Sequence, residues 1–283
     1  MSRQSTELHQ PAGLSNKYNN LKDILKGMGS VLIALSGGVD SVFLIRVAHD
    51  VLGDKVLAVT CDSPSFPKEE KEFAQSMAKK YGFRHRVVKT HEVEDDAYAA
   101  NPSNRCYFCR QVMYGDLEAI AQEEGLAYIC DGFNFSDQGD YRPGRTAALE
   151  KKVRSPLFEA GLTKEDIRWL ARELGLTNWD RPASACLASR IPYGSRVTPE
   201  KLQQIEQAEG FIRSLGFRQV RVRHHDKLAR IETDPQEFFL FLESQNYVKI
   251  SQKLKELGFK FVTLDLQGYR TGSLNEEILP KNN

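Results

Sequence analysis

Short apolar runs alternate along this chain with stretches in which apolar residues recur every three or four positions, the pattern of strands alternating with helices. The runs are Leu32 to Leu35, Lys55 to Cys61, Arg84 to Lys89 and Ala127 to Cys130. Helical spacing covers Asp40 to His49, Glu70 to Tyr81 and Tyr107 to Glu124, the last through Val112, Leu117, Ile120 and Ala121. Upstream, Leu21, Ile24 and Leu25 mark a short helix over Tyr18 to Met28. Strand, helix, strand repetition predicts an α/β fold with a doubly wound parallel sheet, whose ligand crevice lies beyond the carboxyl ends of the strands. One more helix, 163 to 174, has Thr163 as N-cap, acidic residues in its first turn and Gly175 as its stop.

Near Asn178 the pattern changes. A helix over Pro199 to Leu215 precedes alternating strands at Gln219 to His224 and Leu228 to Thr233, joined by a turn containing Asp226. Helical stretches from Pro235 and up to Gly258 lead to a last strand, Phe261 to Leu266, so a smaller α+β C-terminal domain is expected. The expected division is a flexible arm at 1–15, the α/β domain at 16–178 and the second domain at 179–283.

Composition narrows the partners. The 39 Lys and Arg against 38 Asp and Glu in 283 residues leave no global basic field to recruit nucleic acid. No apolar run approaches membrane-spanning length and the first twenty residues are polar, so neither a signal peptide nor a transmembrane helix is predicted and a cytoplasmic location is expected. Five cysteines in such a chain are not a disulfide framework, which raises metal binding or catalysis.

The chemistry starts at Ser36-Gly37-Gly38-Val39-Asp40-Ser41, where an apolar strand gives way to small residues and a helix start. Glycines allow close backbone approach to an anion, and Ser36, Ser41 and the first free helix amides supply donors. The spacing differs from G-x-x-x-x-G-K-[ST] and lacks its lysine, which disfavours simple γ-phosphoryl transfer. Further on, Cys106-Tyr107-Phe108-Cys109 opens a helix, where the macrodipole favours thiolate. Cys186 comes later, while Cys61 and Cys130 lie on apolar strands and read as buried thiols. Three ligands would leave one metal position open for substrate or sulfide; a redox dithiol at Cys106 and Cys109 is the alternative. Asp131, Asn134, Asp137 and Asp140 form an acidic loop after a strand end, either a ligand edge or a solvated face. Arg221 and Arg223 alternate with valines and so share one strand face, which suits an anion or simply solvent. Glu209 and Asp226 read as a helix-surface glutamate and a turn aspartate, with a site role as the alternative. His224 and His225 are adjacent on a strand and face opposite sides, against a chelating pair.

The hexamer SGGVDS resembles the signature of PP-loop ATP pyrophosphatases, which cleave ATP between the α- and β-phosphates. Together with DGFNFSDQGDYRPG, ACLASRIPYG, VRVRHHDKLARIE and VTLDLQGYRTGSLNE, it makes the sequence similar to the LarE family over nearly its whole length. That family consists of ATP-dependent sulfur insertases that mature the nickel-pincer cofactor of lactate racemase. The resemblance implies ATP and pyrophosphate at Ser36, Gly37, Gly38, Asp40 and Ser41, with Asp40 on Mg2+. It implies that Gly132 and Asn134 line the nucleotide or substrate side and that Arg142 binds the carboxylate being activated. Ser189, Arg190, Arg221 and Arg223 would hold the phosphate of a mononucleotide substrate. One family class sacrifices a cysteine; the other carries a four-iron, four-sulfur cluster on three. Here Ala185 takes the sacrificial position, so the resemblance implies a cluster on Cys106, Cys109 and Cys186, served by sulfide or another sulfur donor, in a homo-oligomer built as trimers of paired subunits. A tRNA thiolase would need a basic track, an ammonia-using synthetase a glutaminase domain, and a non-catalytic nucleotide- or metal-binding module is the remaining alternative.

Overall fold

The computed structural model describes residues 13–138, 143–182 and 185–270, with Gly272 and Leu274. The chain divides into two compact units. The first comprises residues up to Asp62, Lys68–Thr90 and Cys106–Ser184; the second comprises Ser63–Pro67, His91–Arg105 and the chain from Ala185. Two segments of the N-terminal half thus belong to the second unit, which a linear hydropathy pattern does not reveal.

In the first unit, strands β1 (Val31–Ala34), β2 (Val56–Asp62), β3 (His85–Lys89) and β4 (Tyr128–Cys130) form a parallel sheet in the order β3-β2-β1-β4. Val31 pairs with both Val56 and Tyr128 in register, so β1 is central and fully flanked. Helices α1 (Leu14–Met28), α2 (Val39–Leu52) and α3 (Lys68–Tyr81) accompany the first strands. Helix α1 begins four residues ahead of Tyr18, because Leu14 is buried with Leu21, Leu25 and Met28. One core cluster joins those residues to Ile33, Val42, Phe43 and Ile45; a second, on the other sheet face, joins Leu32, Leu57 and Val59 to Tyr114 and Leu117. Apolar side chains on both faces of β1 and β2 are what a parallel sheet covered by helices requires, and the predicted α/β doubly wound architecture is the one observed.

The remaining helices are α4 (Asp96–Ala99), α5 (Arg105–Glu123), α6 (Pro143–Glu150), α7 (Pro156–Glu159), α8 (Lys164–Glu173), α9 (Pro199–Ser214) and α10 (Asn246–Glu256). Thr163 caps α8 as predicted, in a reciprocal box with Asp166, and Gly175 follows its end at φ 69°. In the second unit, β5 (Val220–His225) and β6 (Leu228–Thr233) form the predicted hairpin, with Asp226 at φ 52° in its turn. Strand β7 (Phe261–Leu264) adds in parallel to β6. The stretch from Pro235 is a 3-10 helix, Pro235–Phe241. No helix among the described residues is long and apolar enough to cross a membrane.

Candidate active site

The turn from Ser36 to Ser41 leaves the carboxyl end of β1, the central strand, and enters α2. Gly37 adopts φ 79°, and a methyl group there would meet the Phe73 ring at 3.3 Å and the Glu70 carbonyl at 3.4 Å, so the turn demands glycine twice over. The Ser41 hydroxyl donates to the Gly38 carbonyl (3.0 Å), and the Ser36 and Ser41 hydroxyls lie 3.2 Å apart. Asn178 donates to the Gly37 carbonyl (3.3 Å), and Arg181 pairs with Glu70 through both carboxylate oxygens (2.8 and 2.9 Å) while stacking on Phe73. The turn is therefore braced from α3 and from the 178–181 segment.

Asp40 stands in the first turn of α2. Its Oδ2 accepts from Lys164 Nζ (2.5 Å), while its buried Oδ1 has no hydrogen-bond partner among the described residues. Burial pushes the Asp40 carboxyl above its ordinary range, opposed by the Lys164 charge and reinforced by nearby Asp137. A buried carboxylate oxygen left without a partner among the described residues, beside a glycine-rich turn at a helix start, fits one magnesium ligand, with phosphates supplying others. Lys164 is the functional candidate that pattern reading missed. The signal was present: it is the first residue of α8, where the helix dipole disfavours a cation.

Gly132 packs on this turn; a methyl group there would lie 3.2 Å from the Ser41 amide nitrogen and 3.4 Å from Asp40 Cβ. Asn134 is buried, and its side chain accepts from the Ser136 amide (2.9 Å) while Asp137 accepts from the Asn134 amide (3.1 Å), so it builds the turn that follows β4. Asp131 is no solvated carboxylate either: Ser155 Oγ (2.7 Å), Tyr114 Oη (3.2 Å) and the Phe133 amide (3.2 Å) all donate to it. Burial, with Asp131 adding to it, pushes the Tyr114 hydroxyl up to about 12. Arg142 and Asp140 lie outside the described residues.

None of the five cysteines forms a disulfide. Cys130 is buried and its thiol is pushed well up by that burial, as predicted for a core residue, whereas Cys61 is half-buried. Cys106 is exposed and Cys109 half-buried in the first two turns of α5. Beside them, Tyr114, Cys109, Asp131 and Cys106 hold the Arg110 guanidinium protonated beyond its usual range, although burial opposes this.

In the second unit, Cys186 is exposed at the start of a short 3-10 turn, Leu187–Arg190. Arg190 is almost wholly buried and pairs with Glu209 through both carboxylate oxygens (2.8 and 3.0 Å). Its Nη1 also donates to the Ser189 hydroxyl (3.0 Å). Burial alone would raise the Glu209 carboxyl, but the Arg190 charge wins and holds it below the ordinary carboxylate range. Glu209 is thus a core residue, not the helix-surface glutamate its position suggested, while Asp226 is the exposed turn aspartate expected and pairs with Lys201 (3.0 Å). Arg223 pairs likewise with the buried Glu232 (2.9 and 2.7 Å). Arg221 makes no salt bridge among the described residues: its Nη1 donates to its neighbour's carbonyl and its guanidinium lies 5.3 Å from the Tyr269 ring centre.

A family model for asparagine synthase matches residues 21–116, the segment that contains the Ser36–Ser41 turn. An uncharacterised protein from Synechocystis is 45% identical over 94% of this chain and 99% of its own length. The pyridinium-3,5-bisthiocarboxylic acid mononucleotide synthase of Lactiplantibacillus plantarum is 40% identical over 94% of this chain and 96% of its own. This chain belongs to the LarE family. As a LarE-family member it is an enzyme of the PP-loop ATP pyrophosphatase group, in keeping with the turn geometry. A more distant relative, one subunit of the glutamine-hydrolysing GMP synthase of Pyrococcus furiosus, is 28% identical over 70% of the chain and 67% of its own length.

The three cysteines assigned to a cluster fall to different units, Cys106 and Cys109 in the first and Cys186 in the second. Among the described residues, no three His, Cys, Asp or Glu side chains form a group able to hold a metal ion. What the LarE-family chain does offer is the right donor chemistry, since none of the three thiols is tied up in a disulfide and two are exposed.

Proposed function

We propose that this chain is an ATP-dependent sulfur transferase that acts on a pyridinium dicarboxylate mononucleotide and serves nickel-pincer cofactor biosynthesis. The observation that carries this reading is the 40% identity to the L. plantarum synthase along nearly the full length of both chains. In this reading the ATP phosphates lie in the turn of Ser36, Gly37, Gly38, Asp40 and Ser41, where the unpaired amides of α2 and the Lys164 ammonium meet the charge on the departing pyrophosphate. Asp40 Oδ1 would hold magnesium, whose charge offsets that of the leaving group. Gly132 and Asn134 border the nucleotide, and Arg142 orients the substrate carboxylate.

A carboxylate oxygen attacks the α-phosphorus, the bond to the bridging oxygen breaks, and pyrophosphate leaves with that electron pair. The acyl carbon now carries AMP, a good leaving group in place of a poor one. Sulfide then adds at the acyl carbon, and AMP departs with the carbon–oxygen electron pair to leave a thiocarboxylate. Cys106, Cys109 and Cys186 would hold a four-iron, four-sulfur cluster as the source of that sulfur. Of Ser189, Arg190, Arg221 and Arg223, assigned to the substrate phosphate, Arg190 and Arg223 are neutralised by Glu209 and Glu232 and hold the turn and strand in place. Arg221, which forms no salt bridge among the described residues, is thus the guanidinium left to meet the phosphate beside the Ser189 hydroxyl. The enzyme acts in the cytoplasm as a homo-oligomer.

The test is anaerobic purification and reconstitution followed by incubation with ATP, magnesium, sulfide and pyridinium dicarboxylate mononucleotide. Expected are stoichiometric iron and labile sulfide, AMP and pyrophosphate, and a substrate in which sulfur has replaced oxygen. A colourless protein that converts Cys186 to dehydroalanine overturns the cluster. Pyrophosphate release with no thiolated product overturns the transferase reading.

A further inference from the structure

Every backbone carbonyl from Ala185 to Ser189 except that of Leu187 accepts a hydrogen bond from a guanidinium. Arg190 Nη1 donates to the carbonyls of Ala185 (2.8 Å) and Cys186 (3.0 Å), and Arg223 Nη1 to that of Ser189 (2.8 Å). The third donor is one that neither the proposed chemistry nor the sequence pattern uses: Arg105 Nη1 donates to the Ala188 carbonyl (3.1 Å). Arg105 is 5% exposed. Arginine is rarely that buried without a carboxylate, yet among the described residues Arg105 forms no salt bridge. Its partners are the Ala188 carbonyl, the Asn101 side-chain oxygen and the face of Tyr193, whose ring centre is 5.6 Å away.

Asn101 extends the clamp. It is 0% exposed and adopts φ 57°, a left-handed conformation that asparagine tolerates better than most residues. Its Nδ2 donates to the carbonyls of Ile191 (3.2 Å), Pro192 (2.7 Å) and Ser195 (3.0 Å). The Leu187 amide donates to Ser65 (2.9 Å) and the Gly194 amide to Asn101 (2.9 Å), so the backbone on both sides of Arg190 is pinned by residues distant in sequence. At the head of this clamped stretch Ala185 and Cys186 are exposed, while Leu187, Ala188 and Arg190 are buried.

We infer that Arg105, seated on Asn101, is a positioning residue: it fixes the path of residues 185–191 and so the aim of the Cys186 thiol and the Ser189 hydroxyl. Its positive charge, unmatched by a carboxylate among the described residues, is held two residues from Cys186, where sulfur is handled as an anion. The inference rests on the reading of Cys186 as part of the sulfur-transfer site, and the two can fail separately.

Arg105→Gln and Arg105→Lys are compared with the unaltered full-length protein in two measurements. In the first, ATP-dependent pyrophosphate release and thiolated product are followed separately. Arg105→Gln is expected to leave the first within about twofold and to lower kcat for the second by about a hundredfold with KM little changed, the scale of an ångström-sized misplacement. Arg105→Lys, which keeps one cationic donor, restores part of that loss. In the second, hydrogen exchange is expected to quicken at the Leu187, Ser189 and Ile191 amides of Arg105→Gln while Val31 to Ala34 stay protected. Unchanged product formation and exchange overturn the inference; so does loss of pyrophosphate release together with protection throughout, which makes Arg105 a fold residue only. If the unaltered protein yields no thiolated product, the transferase reading falls, and the exchange measurement alone decides the role of Arg105.

Discussion

At the scale of single residues, the chain spends stability to hold Asp40 ready. Its carboxyl is raised above the unfolded value, so the protonated form is favoured by folding. The stabilising contribution is complete below the unfolded pKa of 3.8 and disappears as pH rises through the folded value. At neutral pH the buried carboxylate is a net cost. Asp40→Asn removes it while Lys164, partly exposed, retains water. Thermal melts at pH 7 are therefore expected to show Asp40→Asn above the unaltered protein by a few degrees, at roughly 2–4 °C per kcal/mol for a chain of this size. The gap should close towards pH 4, and pyrophosphate release should be abolished. A lower melting temperature at pH 7 would show that the Lys164 pair outweighs desolvation. Which residues carry charge was legible in the sequence; whom they face was not. Arg190 and Arg223 read as anion binders because an isolated guanidinium on a strand or turn invites that. Their carboxylates, Glu209 and Glu232, come from an adjoining helix and strand, and only the packing of α9 on the hairpin turns Glu209 inward.

At the scale of elements, the strand–turn–helix unit was the most legible part, since an apolar run, two glycines and an amphipathic helix each signal their own geometry locally. The role of Gly132 was legible only in outline. Its close approach to Ser41 predicts that Gly132→Ala displaces the first turn of α2 and weakens ATP binding by about tenfold, roughly 1.4 kcal/mol, with little effect on the fold. Titration of ATP against the variant checks this; wild-type affinity would mean that the turn yields without cost. The β5–β6 hairpin carries a second prediction. His224 is buried against Phe259 with Nε2 on Gln204 (2.8 Å), and burial, helped by Lys201, lowers its pKa from 6.5. The unfolded chain therefore binds a proton that the folded hairpin refuses, so stability falls as pH drops from 6.5 through the folded value. Denaturant midpoints between pH 7 and 5 should decline in the unaltered protein and decline less in His224→Gln.

Across the whole molecule, the periodic pattern conveyed the order of elements but not which segments fold with which. The stretch 91–105 looks polar and loop-like, yet Tyr98, Asn101 and Arg105 within it are buried in the second unit. Hydropathy cannot announce this, because the burial is secured by hydrogen bonds to backbone of the 185–197 region rather than by apolar spacing. A polypeptide of residues 179–283 alone lacks those partners. Its amide spectrum is expected to show poor dispersion around 185–197, and sharp, native-like dispersion there would refute the dependence. The interleaving also sets a timetable during protein synthesis. Ser65, Asn101 and Arg105 leave the ribosome long before the turn they grip has been made, so the first unit can close around the Ser36–Ser41 turn while these residues wait. The turn that carries Cys186 is thus completed last, after the chain of the first unit has been made.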